Sequence, residues 1–172
     1  MCKPAPQTTI WTSGHSAAEP AELVRLLRAQ GIQVLVDVRS VPYSRFAPQA
    51  NREVLESVVT SVGLRYLYRG DELGGRPHGE DEETAVGKPD YGKIESTEAY
   101  QRGIADLLRL GPESRVCVLC SEEDPAHCHR ALLIAETLVR RACVVLHIRH
   151  DGSVEPHAAM VLRRDKGQLS LF

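Results

Sequence analysis

Between Cys120 and Arg130 the chain reads Cys-Ser-Glu-Glu-Asp-Pro-Ala-His-Cys-His-Arg, placing two thiols, two imidazoles, three carboxylates and a guanidinium within eleven residues. Such a segment can supply a nucleophilic thiolate, a proton carrier or soft metal ligands. The apolar run before it, Arg115-Val-Cys-Val-Leu-Cys120, reads as a strand, and Ala131 to Arg141 reads as a helix. Backbone N–H groups near His129 and Arg130 then face the loop, where a helix dipole favours a thiolate or a bound anion. Cys120, Cys128 and His129 are therefore candidate nucleophiles or metal ligands. A divalent metal at Cys120, His127, Cys128 and His129, with His15 nearby, suits the residue types. Their spacing does not favour it: the one close pair, Cys117-x-x-Cys120, lies in a strand whose alternation aims the two thiols at opposite faces. The cofactor is left unknown, and a loop of purely structural role uses the same residues.

Acid–base chemistry has two candidates. Asp37 ends an apolar run, Gln33-Val-Leu-Val-Asp37, and Glu122 follows Cys120 by two residues. Two carboxylates facing each other across a cleft are the equipment for glycosidic or phosphoester hydrolysis. The plainer alternatives are an Asp37–Arg39 ion pair and a first-turn charge at Glu122. Arg39, Arg45 and Arg130 would suit an anionic substrate, because guanidinium forks bind phosphate through two parallel hydrogen bonds. Gly14, His15, Ser44 and Gly74 complete the expected substrate-binding set. Trp11 and Tyr100 read as core residues.

The elements that must position these groups alternate along the chain. Thr8–Thr12, Gln33–Arg39, Arg65–Tyr68, Arg115–Cys120 and Val144–Ile148 read as strands. Between them, Leu23, Leu26 and Leu27, then Val54, Leu55, Val58, Val59 and Val62, then Tyr100, Ile104, Leu107 and Leu108 recur at helical spacing. A capping box, Ser16-Ala-Ala-Glu19, is expected to open the first helix, and Gly31 to close it. Strands joined by helices call for a mainly parallel sheet flanked by helices, a three-layer α/β sandwich. One domain over residues 8–162 and a tail over 163–172 are expected. Ligands of such sheets bind at the carboxyl ends of the strands, which is where the candidate residues fall. Residues 70 to 95 show no periodicity and read as a functional loop or a disordered one.

Composition sets the bounds. With 21 Lys+Arg against 23 Asp+Glu the net charge is −2, so no overall basic field draws the chain onto nucleic acid or acidic membrane. The 172 residues suffice for one core without staples, and 42% hydrophobic content is ordinary for a globular domain. No apolar run is long enough to span a bilayer and the N-terminus has no secretory h-region, so a cytoplasmic protein without membrane partners is expected. Five cysteines, three of them in or beside apolar strands, suit reduced thiols better than a disulfide framework.

Several segments together carry a resemblance: Ser13-Gly14-His15-Ser16, Val36-Asp37-Val38-Arg39-Ser40-Val41-Pro42-Tyr43-Ser44-Arg45, Leu73-Gly74-Gly75, and Cys120-Ser-Glu122 with Cys128-His129-Arg130. In this order, from about Thr9 to His150, the chain resembles the bacterial and archaeal family known as domain of unknown function 488. That resemblance implies a compact α/β domain with a polar site built from these motifs, and no established reaction. The run Glu80 to Glu83 departs from the family pattern as a local insertion.

A second signal is independent. Gln168-Leu169-Ser170-Leu171-Phe172 follows a polar, Gly-containing spacer and resembles the pentapeptide by which bacterial polymerases and repair proteins bind the DNA polymerase sliding clamp. The expectation is a DNA-repair protein recruited to the clamp that acts on a nucleotide or damaged nucleobase by hydrolysis or lyase chemistry. Two alternatives stand beside it: a non-catalytic clamp adaptor that binds a nucleotide or DNA end, and a rhodanese-like or phosphatase-like thiol enzyme. Against the latter, Cys120 and Arg130 are ten positions apart, too far for the short anion loop of those enzymes.

Overall fold

A computed structural model of the chain describes residues 7–76 and 89–169. Five parallel strands and one antiparallel edge strand form a six-stranded sheet in the order β3-β2-β4-β1-β5-β6. They are β1 (Thr9–Gly14), β2 (Val34–Asp37), β3 (Arg65–Tyr68), β4 (Val116–Cys120), β5 (Val144–Ile148) and β6 (Val154–Pro156). The central strands β2 and β4 are buried at every residue, which explains their near-continuous apolar runs.

Alternation along β4 divides the core in two. Val116 and Val118 point to one face, with Val34 and Val36, and meet Tyr100, Ile104 and Leu107 of α5 (Glu98–Leu110). Cys117 and Leu119 point to the other, with Trp11 and Leu35, and meet α1 (Pro20–Ala29) and α2 (Arg52–Ser61). On the α5 face the chain also runs from β4 through a π-helical turn, Arg130–Ala135, into α6 (Glu136–Arg140). The result is the expected three-layer α/β sandwich. Trp11 and Tyr100 are both buried in it.

Helices α1 and α2 leave β1 and β2 toward one face, whereas the π-helical turn leaves β4 toward the other. Where loops of neighbouring strands part in this way, a crevice opens at the carboxyl ends. Register aligns those ends: Gly14 pairs with Cys120, and Asp37 with Leu119.

Three local expectations change. The Ser16 capping box does not form, because Ser16 sits at φ 46° and its N–H donates to Ser121 O at 2.6 Å. The helix starts instead at Pro20, whose ring presets helical φ. Gly31 and Gly63 do take positive φ, 63° and 87°, just past α1 and α2. The aperiodic stretch holds two short helices, α3 (Gly70–Leu73) and α4 (Tyr91–Glu95), while the acidic run Glu80 to Glu83 lies outside the described residues. Finally, α7 (His157–Leu169) carries helix beyond Arg163, the expected start of the tail. No helix among the described residues is long and apolar enough to cross a membrane, and the four described cysteines, Cys117, Cys120, Cys128 and Cys143, are buried and free.

Candidate functional site

The crevice between the ends of β2 and β4 contains a cavity of about 220 Å3. One wall is Arg39, Ser40 and Val41 after β2, the opposite wall is Cys120, Ser121 and Glu122 after β4, and His127, Cys128 and His129 close the floor. Gly75, Arg76 and Tyr91 supply the remaining side. Glycine at 75 leaves room for the imidazole, since a Cβ would lie 2.6 Å from Cγ of His129 and would displace that ring.

Arg130 holds the β4 loop in this shape. Its guanidinium is fully buried and donates from Nη1 to Glu122 O, from Nη2 to Glu123 O at 2.8 Å, and from Nε to Thr12 Oγ1 at 3.3 Å. Each of its three nitrogens donates to the protein, and the buried Arg130 anchors the loop without lining the cavity. Gly14 permits the same closure: a Cβ there would come within 1.6 Å of Glu122 O.

With the loop pinned, Cys120, Cys128 and His129 converge, one ligand-type atom of each lying within 4.8 Å of the others. Cys120 Sγ is 3.4 Å from His129 Nδ1 and 3.6 Å from Glu122 Oε2. His129 Nε2 is buried with no hydrogen-bond partner among the described residues. The Cys128 thiol is pushed well above the ordinary range by its hydrogen bond with Cys120 and by burial, so the lowered thiol pKa expected beside two imidazoles does not hold for it. Partial burial works against ionisation of Glu122, but hydrogen bonds from Cys128, from its own backbone N–H and from Cys120 hold its carboxyl below the usual value. Glu122 is thus an ionised carboxylate at the mouth of the cavity. Its two acidic neighbours are occupied elsewhere: Glu123 is clamped by Arg149 at 2.8 Å and Asp124 by Arg163 at 2.8 and 3.0 Å.

The expected pairing of Glu122 with Asp37 is not assembled. Asp37 is fully buried, gives its carboxylate to Arg39 and Tyr66, and does not line the cavity. His15 lies behind Arg39. Its Nδ1–H donates to Ser16 O at 2.7 Å, leaving Nε2 to accept from Arg39 Nη1 at 3.0 Å. Burial and the Arg39 charge lower the His15 pKa, which keeps the ring in that neutral form. Arg39, the substrate-binding candidate that lines the cavity, is thereby fixed from three sides, since its Nη1 also donates to Ala50 O at 2.7 Å.

Of the other candidates, Ser44 and Gly74 serve the scaffold, and Arg45 stands on the surface. Ser44 Oγ accepts from the N–H groups of Phe46 and Ala47, Arg45 is exposed with its guanidinium 4.9 Å from the Phe46 ring, and Gly74 packs against Ser40. His127 borders the cavity but stands outside the Cys120–Cys128–His129 group. Ser170, Leu171 and Phe172, and the side chains of Gln168 and Leu169, lie outside the described residues. Sequence reasoning missed Arg76 and Tyr91, and reached Gly75 through the family resemblance alone. They belong to the aperiodic stretch, where only the short capping motif Asp90-x-x-Lys93 marks an element.

Beside the cavity, the loop after Val41 carries Tyr43 at 68% and Phe46 at 85% exposure, with Arg45 between them. Two exposed aromatic side chains and a guanidinium thus stand next to the cavity.

The family model described as Domain of unknown function DUF488 matches residues 19–137, a span that includes every cavity-lining residue and excludes the C-terminal pentapeptide. No curated protein and no solved structure matches the chain.

Proposed function

The chain belongs to the DUF488 family, and from its strand-end cavity and the aromatic loop beside it we propose that it is a nucleic-acid-directed hydrolase acting on a single unstacked nucleobase. The exposed Tyr43, Arg45 and Phe46, joined through Val41 to the cavity wall, carry the reading. Stacking on an aromatic ring is worth about 1–3 kcal/mol per base and does not depend on overall charge, so it suits a chain of net charge −2. Size points the same way: 220 Å3 falls below the roughly 300–1,000 Å3 of pockets that enclose a drug-sized ligand, yet it admits one flipped base. In this role the Ser40 hydroxyl reads a polar edge of the base beside the braced Arg39, and Glu122 takes the proton of an attacking water. Recruitment to the sliding clamp by Gln168–Phe172 would bring this chemistry to replicating or repaired DNA.

Anisotropy with a fluorescent single-stranded oligonucleotide tests the reading. Wild type should bind with a micromolar Kd, and Tyr43→Ala/Phe46→Ala should bind at least tenfold more weakly. Equal binding by both, or none by either, removes the nucleic-acid substrate. A second reading, a thiol enzyme with Cys120 as nucleophile and His129 as its base, is favoured by their 3.4 Å contact. It requires Cys120 to react with iodoacetamide faster than a free thiol at neutral pH.

A further inference from the structure

The geometry points to a zinc site formed by Cys120 Sγ, Cys128 Sγ and His129 Nδ1, with a fourth position open to the strand-end cavity beside Glu122. Nothing in the assignment rests on the nucleobase reading, because it concerns what the protein's own side chains hold.

The donor set is the first argument. Two thiolates and an imidazole are the soft and borderline ligands zinc prefers, and three protein ligands with one open position is the arrangement of catalytic zinc sites. The second is distance. Bonds of about 2.3 Å to sulfur and 2.0–2.1 Å to nitrogen place neighbouring tetrahedral ligands roughly 3.5 Å apart. Cys120 Sγ and His129 Nδ1 stand 3.4 Å apart, and the three ligand atoms lie within 4.8 Å of one another. Small side-chain rotations then bring all three onto one ion.

Preorganisation is the third argument. Cys120 is fixed as the last residue of β4, and Cys128 and His129 are returned to it by a loop whose carbonyls are gripped by Arg130. Cys128 N–H also donates to Pro125 O at 3.1 Å. A group of donors held by a buried guanidinium loses little chain entropy when a metal arrives. All three ligands line the cavity, so the remaining coordination position faces it.

The charge balance closes. Binding displaces the two thiol protons to solvent, the two thiolates offset the +2 of zinc, and His129 stays neutral, so no oxidant or reductant takes part. A water in the fourth position would be acidified by the ion, and Glu122, 3.6 Å from Cys120 Sγ, is placed to accept its proton.

The experiment uses the full chain purified without chelators. Elemental analysis should give close to one zinc per chain, and exchange with cobalt(II) should produce thiolate-to-cobalt charge-transfer bands and the intense visible bands of tetrahedral coordination. Cys120→Ser, Cys128→Ser and His129→Gln should each weaken zinc binding about a hundredfold or more in competition with a chromophoric chelator. Cys143→Ser, at a buried thiol outside the cavity, should keep it. Because a ligand variant can fail to fold, the wild-type cobalt spectrum is decisive alone. A spectrum without sulfur charge transfer, or a Cys120–Cys128 disulfide in protein kept under air, overturns the site. Protein that holds zinc but ignores oligonucleotides leaves it standing and removes the nucleobase reading instead. Zinc bound through His129 Nδ1 also removes that nitrogen as the base of the thiol reading.

Discussion

The Asp37 carboxylate takes hydrogen bonds from Nε of Arg39 at 2.9 and 3.1 Å and from its Nη2 at 2.5 Å, although the two residues are only two positions apart in the chain. Tyr66 Oη adds a fourth at 2.5 Å. Both partners of this ion pair are buried, so removing one leaves an uncompensated charge, a loss of about 3–5 kcal/mol. Asp37→Ala should destabilise the protein by that amount in urea unfolding, whereas Tyr66→Phe should cost about 1 kcal/mol. An Asp37→Asn protein of unchanged stability that has lost all turnover would restore Asp37 as an acid–base group.

The central layer was legible because β2 and β4 are buried on both faces and their sequences say so without alternation. The rim was legible for the same reason, since any polar residue interrupting such a run must sit at its end. What the sequence could not separate was a polar residue that faces the crevice from one that braces it. Asp37, Arg130 and His15 carry chemically capable groups, yet each spends them inside the protein. For Arg130 that assignment depends on partners 7 to 118 positions away, and Asp37 and His15 add Tyr66 and Arg39, 29 and 24 positions away, to partners within two residues. Tyr91 and Arg76 were illegible for the opposite reason, because tertiary contact and not periodicity orders their stretch.

A buried chain of hydrogen bonds predicts acid sensitivity. Thr12 Oγ1 meets His147 Nδ1 at 2.7 Å, His147 Nε2 meets His157 Nδ1 at 3.0 Å, and His157 Nε2 meets Glu136 at 3.3 Å. Burial, then the His157, Arg130, Arg149 and Arg163 charges, lower the His147 pKa to about 3. Unfolded, this histidine titrates near 6.5, so between pH 6.5 and 3 the unfolded chain binds the extra proton and stability falls as pH falls. Carboxylates held below their usual values, such as Glu123 and Glu155, add their own loss only below about pH 4.5. Urea midpoints between pH 7 and 5 therefore report the buried histidines whose pKa is lowered, His147 and His15: wild type should lose stability on acidification, and His147→Gln should show a flatter slope over that range. Identical slopes would refute the role given to His147.

Two glycines separate damage to the site from damage to the fold. Gly75→Ala sets a methyl 2.6 Å from the His129 ring, a side chain that can move, whereas Gly14→Ala drives one into the Glu122 carbonyl, which is backbone held by Arg130. Overpacking of this kind costs typically 1–3 kcal/mol. Gly75→Ala should keep most of the stability and lose zinc and oligonucleotide binding. Gly14→Ala should lower the melting temperature by several degrees and impair the site as well. Unimpaired zinc binding in Gly75→Ala would show that His129 does not need its place.

The C-terminal pentapeptide should bind the bacterial sliding clamp without contributing to the fold. Helix α7 is held to the domain by His157 and Met160, both buried, and by Arg163, which pairs with Asp124 and Glu155. Beyond Arg163 the described side chains are half-buried Arg164 and then exposed Asp165 and Lys166, and Gly167 weakens the last helical turn by roughly 0.5–1 kcal/mol. A last turn so loosely held can unwind into the extended form that a clamp groove requires, at little cost. Leu169, Leu171 and Phe172 would each gain about 1.5–3 kcal/mol on leaving water, and ordering of the chain offsets much of it, so a Kd near micromolar is expected. Gln168 brings an amide that both donates and accepts, which sets the register of the bound peptide. Titration of clamp with the full chain and with a chain lacking Gln168 to Phe172 should show binding only by the former, with melting temperatures within about a degree of each other. Equal affinity for both chains, or no binding at tens of micromolar, would remove the clamp as partner. A melting temperature many degrees lower in the shortened chain would instead assign the pentapeptide to the core.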